Sequence, residues 1–208
     1  FLRMKPIDIH LLFPKVIAKT SITLPQEESK LLNDVYDKTT FVPTKPDIKD
    51  EVSMSGSLNI LSDLEFLKHK ITDTFNSFKN NFLMLKNTKF KVTTSWFTLS
   101  KSNETNSFHK HSNNDYSLVY YFGNSDKVKI TFEDFNPGHN RELVPVEELD
   151  HNVVSKTFEL QNNDLIIFPS EVYHKIESFD GDNIRKSLAI NFTAIGEFGF
   201  GDSKINVK

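Results

Sequence analysis

The second half of the chain is a succession of short strand-like runs, and this feature constrains the fold more than any other. After Asn87 the runs are rich in β-branched and aromatic residues and are separated by clusters of Asn, Asp, Gly and Pro: KFKVTTSWFTLS, SLVYYF, KVKITFEDF, KTFEL, DLIIFP and KSLAINFTAI. Short strands divided by turn residues are typical of sandwiches and barrels. The C-terminal part is therefore predicted to be a β-sandwich or barrel.

The first half is predicted to be mainly helical. Residues 59–83 place apolar residues three or four apart, which predicts a long amphipathic helix. Those residues are Leu61, Leu64, Leu67, Ile71, Phe75, Phe78 and Phe82. A shorter helix is predicted within LPQEESKLLNDVYDKTT, residues 24–40, where Leu31, Leu32 and Val35 stand at helical spacing behind a polar first turn. It follows an extended edge segment in residues 7–24. Residues 41–57 contain two prolines and are predicted to be a loop. Helices first and strands afterwards indicate an α+β fold.

Composition narrows the classes of function. The chain has 208 residues and a net charge of −3, so its charge does not favour nucleic acid as a partner. No apolar run approaches the roughly 18 to 20 residues of a membrane span, and nothing resembles a signal peptide. The chain has no cysteine, which excludes disulfides and thiolate ligands and is compatible with a reducing cytoplasm. We expect a cytoplasmic protein without membrane association.

Two of the seven histidines lie two residues apart in FHKHSNNDYSLVYYF, just ahead of a predicted strand. On a strand, positions i and i+2 point to one face, so His109 and His111 would project together. His174 follows the run DLIIFP and could complete a facial set of three ligands. Arg185 and Ser187 come next, two apart, where a guanidinium and a hydroxyl could bind a carboxylate. Histidines around iron beside an anion clamp predict an oxygenase with an acidic cosubstrate.

The order of these motifs resembles that of the 2-oxoglutarate- and Fe(II)-dependent oxygenases, in particular a branch found often in bacteriophages. The segments HLLFPKVIAKT, SGSLNIL, TSWFTLS, HKHSNNDYSLVYYF, DLIIFPSEVYH and RKSLAINF carry the resemblance over nearly the whole chain. It implies one domain over residues 1–208, built on a double-stranded β-helix, which is a jelly-roll barrel similar to that of the cupins. Residues 1–87 would support the barrel with helices and an edge strand, residues 88–195 would form its core, and residues 196–208 a tail.

The resemblance also implies cofactors and residue roles. Fe(II) is the expected cofactor, with 2-oxoglutarate and O2 as cosubstrates. The expected reaction hydroxylates an unidentified protein side chain or small metabolite and releases succinate and CO2. His109 would open the H-x-D element of the family, and His174 would be its distal histidine. Arg185 and Ser187 would form the R-x-S element that holds the C5 carboxylate of 2-oxoglutarate.

His111 stands where the family has the aspartate of H-x-D. Three interpretations stay open. His111 is itself a ligand, which gives a three-histidine site with His109 and His174; or Asp115 supplies the carboxylate; or the element begins at His111, with Asn113 in the place of the carboxylate. We favour the first interpretation.

Three further residues of the predicted barrel are candidates for contacts in or near the site. Tyr121 is expected to face into the barrel and could donate its hydroxyl to 2-oxoglutarate, although core packing is the default for such a ring. Asn191 shares a strand face with Arg185 and Ser187, where a core polar group and a cosubstrate contact are equally plausible. Trp96, the single tryptophan, is expected in the core.

Other classes of protein fit parts of this pattern. A cupin-like metal dioxygenase would also use H-x-H with a distant histidine, but it would leave Arg185 and Ser187 without a role. It would also want a glutamate soon after His111, and the first one is Glu133. A non-catalytic binding module is compatible with the missing aspartate. A virion structural protein is supported by little more than the strand-rich texture.

Two further expectations concern the surroundings of the barrel. Residues 136–155 are expected to be an ordered insertion between strands, which could serve as a lid or specificity element. An edge strand and a Phe-rich helix would suit a homodimer. If a phage carries the gene, we expect the protein in the cytoplasm of the host cell.

Overall fold

The structure is a computed structural model and describes residues 14–85, 87–123, 125, 127–135, 148–150, 152–180 and 183–208. The helices are α1 (Gln26–Asp37) and α2 (Glu65–Asn81). The strands are β1 (Ala18–Ser21), β2 (Phe41–Pro43), β3 (Ser53–Ser55), β4 (Lys89–Ser100), β5 (Tyr116–Phe122), β6 (Val128–Glu133), β7 (Ser155–Leu160), β8 (Asp164–Pro169), β9 (Tyr173–Ile176), β10 (Arg185–Phe198) and β11 (Ile205–Val207). Most of the predicted insertion at 136–155, and the first part of the predicted edge segment, lie outside the described residues.

Two antiparallel sheets make up the barrel. The larger sheet has the strand order β1-β8-β5-β10-β4-β3-β2, with β11 paired to the end of β10. The smaller sheet has the order β7-β6-β9. Buried residues of β5 and β8 from the larger sheet share one apolar cluster with residues of β6 and β7 from the smaller sheet. The two sheets therefore pack face to face, and the predicted β-barrel is confirmed.

Strand β5 is covered on both faces, which explains its continuous apolar sequence. Alternate side chains of a strand point to opposite faces. Val119 and Tyr121 pack between the sheets, whereas Leu118 and Tyr120 pack toward the helices. A strand buried on both sides reads as an apolar run and not as an alternating one.

The outer face of the larger sheet is covered by the helices, as the sequence predicted. Phe75 of α2 is fully buried and stacks on Phe192 of β10, with ring centroids 4.4 Å apart. Burying a side chain of this size contributes about 2 to 3 kcal/mol. Within the described ranges, no helix combines the length and the apolar character needed to cross a membrane.

The limits of the long helix differ from the prediction. Residues 60–63 form a 3-10 turn, and Leu64, with a φ of −129°, separates this turn from α2. Leu61 and Leu64 are still buried, so the apolar periodicity continued across a break in the helix. At the other end the helix stops at Asn81, and Phe82 is 76% exposed.

The segment predicted to be a loop, residues 41–57, contains the hairpin β2–β3. Strand β3 pairs with β4, with Met54 opposite Thr98, so the hairpin extends the larger sheet. The loop prediction was wrong. Pro43 and Pro46 are strong turn signals in the local sequence, but β3 pairs with β4, which lies far along the chain, and a local pattern does not show that pairing. The predicted tail likewise contains β11.

Candidate active site

Three histidines meet where the segment before β5 contacts β9. His109 and His111 come from that segment, and His174 lies on β9. One ligand nitrogen from each ring lies within 4.8 Å of the corresponding nitrogen of the other two. The ring centroid of His174 is 4.4 Å from that of His109 and 5.2 Å from that of His111. The arrangement can hold one metal ion.

Backbone carbonyls orient two of the three rings. The Nδ1 atom of His109 lies 2.9 Å from the carbonyl oxygen of Ser107. The Nδ1 atom of His174 lies 3.1 Å from the carbonyl oxygen of Val172. A carbonyl only accepts, so each Nδ1 carries the proton and donates it. This tautomer leaves Nε2 with the lone pair that a metal needs.

The three rings are neutral near pH 7. Burial, together with the charge of the neighbouring histidines, lowers the pKa of His174 to about 3 and that of His111 to about 4. Burial also lowers the pKa of His109. Neutral imidazole is the form that binds a metal, so the low-dielectric site keeps its ligands ready to bind.

Among the described residues, no carboxylate joins this cluster. Asp115 is exposed, and its carboxylate accepts a hydrogen bond of 2.7 Å from the backbone N–H of Ala194. Asn113 is also exposed and adopts a left-handed turn conformation, with a φ of +67°. The geometry favours the three-histidine interpretation with His111 as the third member.

The histidines line a cavity of about 260 Å³ that also contains a buried guanidinium. Arg185 is 5% exposed, and its Nη1 donates to the carbonyl oxygen of Glu177 at 2.8 Å. The guanidinium lies over the ring of Phe179, with 5.0 Å between Cζ and the ring centroid. Its Nη2 is buried and has no partner among the described residues. The same holds for the hydroxyl of Tyr121, which lines the same cavity.

The Nη2 group of Arg185 and the hydroxyl of Tyr121 are unsatisfied donors within the described part of the structure, and an anion in the cavity would accept hydrogen bonds from both. Burial raises the pKa of Tyr121, so its hydroxyl keeps its proton at neutral pH. Burial lowers the pKa of Arg185, while Tyr121 and Glu104 act in the opposite direction. An unpaired buried charge costs several kcal/mol, roughly, unless a counter-charge arrives. Ser187, directly opposite Tyr121 in the strand register, places its side chain in the same cavity. The donor set fits a carboxylate.

Asn191 is a correction to the predicted set. It does not line the cavity. Its Oδ1 accepts from the hydroxyl of Ser117 at 2.8 Å, and its Nδ2 donates to Thr94 at 2.9 Å. Of the two roles that the sequence left open, the amide fills that of a core polar group, because its hydrogen bonds are already made inside the sheet.

The structure moves Trp96 toward the site. The ring is half-buried, lines the cavity, and lies 5.4 Å from the ring of His111. The prediction of a core position was therefore wrong in part. No local pattern predicts this position, because the inward face of β4 becomes a cavity wall only beside the histidines.

The hairpin β2–β3 supplies further cavity residues that the sequence analysis missed. Thr44, Glu51, Val52 and Met54 all line the cavity that the histidines share. Their segment carries prolines and charges and no site motif. Glu51, a glutamate inside a turn-rich stretch, is the one sequence feature that could have indicated a site here. Its burial depends on the pairing of β3 with β4.

Two facing sheets with clustered histidines and a buried guanidinium between them define a double-stranded β-helix with a candidate metal site. The family model described as “Putative 2OG-Fe(II) oxygenase” matches residues 94–191, which include all three histidines, Tyr121 and Arg185. A comparison with curated proteins gives no match.

Solved structures with the same fold include several oxygenases. An oxidoreductase of the 2OG-Fe(II) oxygenase family from Burkholderia pseudomallei aligns with a TM-score of 0.60 and 10% identity, over 88% of this chain and 85% of that one. A prolyl-4-hydroxylase from Pseudomonas putida aligns with a TM-score of 0.54 and 16% identity, over 85% and 91%. HygX from Streptomyces hygroscopicus, solved with nickel and 2-oxoglutarate bound, aligns with a TM-score of 0.55 and 7% identity, over 85% and 82%. At these identities the likeness shows the fold.

The resemblance drawn from the motifs is confirmed. Residues 94–191 match the model of the 2OG-Fe(II) oxygenases, and the barrel has the fold of solved structures from that family. The enzyme class and the cofactors expected from the sequence, Fe(II) and 2-oxoglutarate, are those that the description of the matched family names. The assignment to the phage-associated branch stays a prediction.

Proposed function

We propose that this oxygenase holds Fe(II) with His109, His111 and His174, and that Arg185, Ser187 and Tyr121 bind 2-oxoglutarate beside it. One observation carries the proposal. Three neutral histidines and a buried guanidinium with a free N–H line the same cavity. The histidines supply ligands without charge, and the guanidinium supplies the charge that a dicarboxylate requires.

The residues of this chain divide the work between them. When bound, Fe(II) supplies the Lewis-acid and redox chemistry that couples O2 and 2-oxoglutarate to oxidation of a C–H bond. Arg185 compensates the distal carboxylate of the cosubstrate, and the hydroxyls of Tyr121 and Ser187 orient it. Val119, Ile176 and other apolar side chains line the cavity. They keep it dry, which strengthens each of these polar contacts.

The missing aspartate changes the charge of the centre. A ligand set of three neutral histidines leaves the site one unit more positive than two histidines and a carboxylate would. The extra positive charge favours the dianionic cosubstrate and raises the potential of the iron. Substitution of His111 by Asp therefore restores the usual ligand charge and is expected to lower that potential.

Anaerobic titration tests the proposal. Fe(II) and then 2-oxoglutarate are added to the metal-free protein, and the weak visible charge-transfer band of an iron-bound 2-oxo acid is recorded. We expect a saturable band. Iron binding without a band would contradict the cosubstrate assignment and favour a cupin-like dioxygenase, and no iron binding would favour a binding module.

We also propose a substrate class, a compartment and an assembly from the sequence. A protein side chain or a small metabolite is the proposed substrate, because a net charge of −3 does not suit a nucleic acid. The cytoplasm is the proposed compartment because the chain has no cysteine. The order of the motifs supports a single domain over residues 1–208 and a phage origin. The edge strand and the Phe-rich helix support a homodimer.

A further inference from the structure

A buried carboxylate lies in the cavity and has no part in the proposed binding of iron or 2-oxoglutarate. Glu51 is 8% exposed and lines the cavity together with the histidines. Two backbone hydrogen bonds pin it there. The N–H of Val52 donates to the carbonyl of Thr105 at 3.1 Å, and the N–H of Thr105 donates to the carbonyl of Asp50 at 2.9 Å. The position of Glu51 is thus set by the backbone on both sides.

The charge of Glu51 has little compensation inside the protein. Its Oε1 accepts one hydrogen bond, from the hydroxyl of Thr44 at 3.1 Å. No ion pair within 4.0 Å involves Glu51 in the described part of the chain, and the neighbouring Lys45 is exposed. A carboxylate that is out of water and lacks a cation is costly, so a cation from outside the chain would be bound favourably.

Glu51 is not the missing metal ligand. The group of atoms that lie within 4.8 Å of one another contains the three histidines and not this carboxylate. Of the residues that the structure describes, three with charged side chains line the cavity: the buried guanidinium of Arg185, the exposed Lys45 and the carboxylate of Glu51. The guanidinium is accounted for by the cosubstrate, Lys45 forms no ion pair with Glu51 within 4.0 Å, and the buried carboxylate is left for the primary substrate.

The side chains near Glu51 in the cavity wall indicate the chemistry of the rest of that substrate. Val52 and Met54 of the hairpin and Trp96 of β4 line the same cavity. Apolar and aromatic side chains accept an aliphatic chain, and a tryptophan face adds to the attraction of a cation. The combination suits a positively charged head group on an apolar stem.

We propose that Glu51 binds the cationic group of the primary substrate, and that the substrate is an amine or a guanidinium carried on an aliphatic chain. This inference rests on the proposed function, because it places the substrate beside the iron and 2-oxoglutarate. The carboxylate accepts hydrogen bonds from the cation, and the chain runs along Met54 and Trp96 toward the histidines. Glu51 is then the residue that selects the substrate by charge.

Fluorescence of Trp96 gives a direct readout, because it is the single tryptophan and lines the cavity. The protein with Fe(II) and 2-oxoglutarate is titrated anaerobically with n-pentylammonium and, separately, with n-pentanol, a neutral molecule of similar size. We expect the ammonium to bind about tenfold more tightly or better, since hydrogen bonds to charged groups exceed neutral ones by that factor. The Glu51→Gln variant keeps an acceptor for Thr44 but loses the charge, and its preference is expected to fall to about one.

Thr44→Val is the matched control. It removes the internal hydrogen bond and keeps the carboxylate, so the ammonium preference is expected to persist. A wild-type protein without preference would overturn the inference, and so would an unchanged preference in Glu51→Gln. Loss of iron from Glu51→Gln would overturn it in favour of a ligand role. A wild-type protein that prefers the ammonium but gives no 2-oxoglutarate band would instead contradict the proposed function.

Discussion

The backbones of His109 and His174 form a reciprocal pair. The N–H of His109 donates to the carbonyl oxygen of His174 at 3.0 Å, and the N–H of His174 donates to that of His109 at 2.9 Å. In an antiparallel pair, residues directly opposite each other project their side chains to the same face. The two imidazoles are therefore brought together by main-chain hydrogen bonds, before any metal is bound.

Substitution of His174 by Ala is expected to abolish iron binding. His174 is buried at the centre of the cluster, and its removal leaves two ligands for the ion. The measurement is anaerobic Fe(II) titration with the 2-oxoglutarate band as the readout. His69→Ala is the control, because His69 is exposed on α2 and its Nδ1 contacts the carbonyl of Glu65 within the same helix. Equal iron binding by the two variants would contradict the assignment.

Substitution of Arg185 by Ala is expected to leave iron bound and to weaken 2-oxoglutarate by about tenfold or more. The guanidinium is buried in the cavity, whereas Lys45 lines it with an exposed side chain, and a charge-assisted hydrogen bond is worth about 1.5 to 3 kcal/mol. The affinity is read from the same band against 2-oxoglutarate concentration.

Lys186→Ala is the matched control, because Lys186 is a neighbouring cation on the opposite face of β10. Its Nζ lies 2.9 Å from Asp37 of α1, so its loss affects the helix contact and not the cavity. Normal 2-oxoglutarate affinity in Arg185→Ala, or an equal loss in Lys186→Ala, would show that the clamp is wrongly assigned.

Substitution of Tyr121 by Phe is expected to act in opposite directions on stability and on binding. The hydroxyl is buried and finds no partner in the part of the chain that the structure describes, so its removal is expected to stabilise the free protein by up to about 1 kcal/mol. The same change removes a donor to the cosubstrate and is expected to weaken 2-oxoglutarate by about tenfold. Thermal unfolding and the band titration measure the two effects. A destabilised free protein would mean that the hydroxyl already has an internal role.

Asp164 is expected to make stability depend on acid pH. Its side chain is buried at the start of β8, where Ser21 donates to it at 2.6 Å, the N–H of Gln161 donates at 3.0 Å, and Lys19 lies 3.0 Å away. Burial alone would raise the pKa of Asp164, but these hydrogen bonds and the charge of Lys19 hold it below its ordinary value of 3.8. A group with a lowered folded-state pKa stabilises fully above its unfolded pKa and loses that contribution as the pH falls through the folded value.

The Asp164→Asn variant is expected to lose about 1 to 3 kcal/mol at pH 7. Its deficit relative to the natural chain should shrink below about pH 4, where the native carboxylate also becomes protonated. Denaturant unfolding at a series of pH values measures this deficit. A deficit that stays constant from pH 7 to pH 2 would contradict the role of the charge.

The apolar patterns predicted the secondary structure best where the pattern was long. The runs that became β4, β5, β6 and β8 were each recognised, because a strand buried on one or both faces must keep apolar side chains at those positions. The helix α2 was recognised but its start was placed too early, because the 3-10 turn at residues 60–63 continues the same apolar face. The hairpin β2–β3 was missed, since short edge strands contain too few residues to show a period.

By itself the sequence determined the resemblance to the oxygenases and the choice of the three histidines and the arginine as candidates, because these residue types at those offsets along strands suit iron and a carboxylate. Only the tertiary structure decided which candidates meet. Pairing of β6 with β9, and of His109 with His174, closes the histidine cluster, while Asp115 and Asn191 are held by other strands. Pairing between distant segments also buries Glu51 and leaves Arg185 with a free N–H. Neither local pattern nor composition specifies such contacts, because burial and partner choice depend on which strands become neighbours.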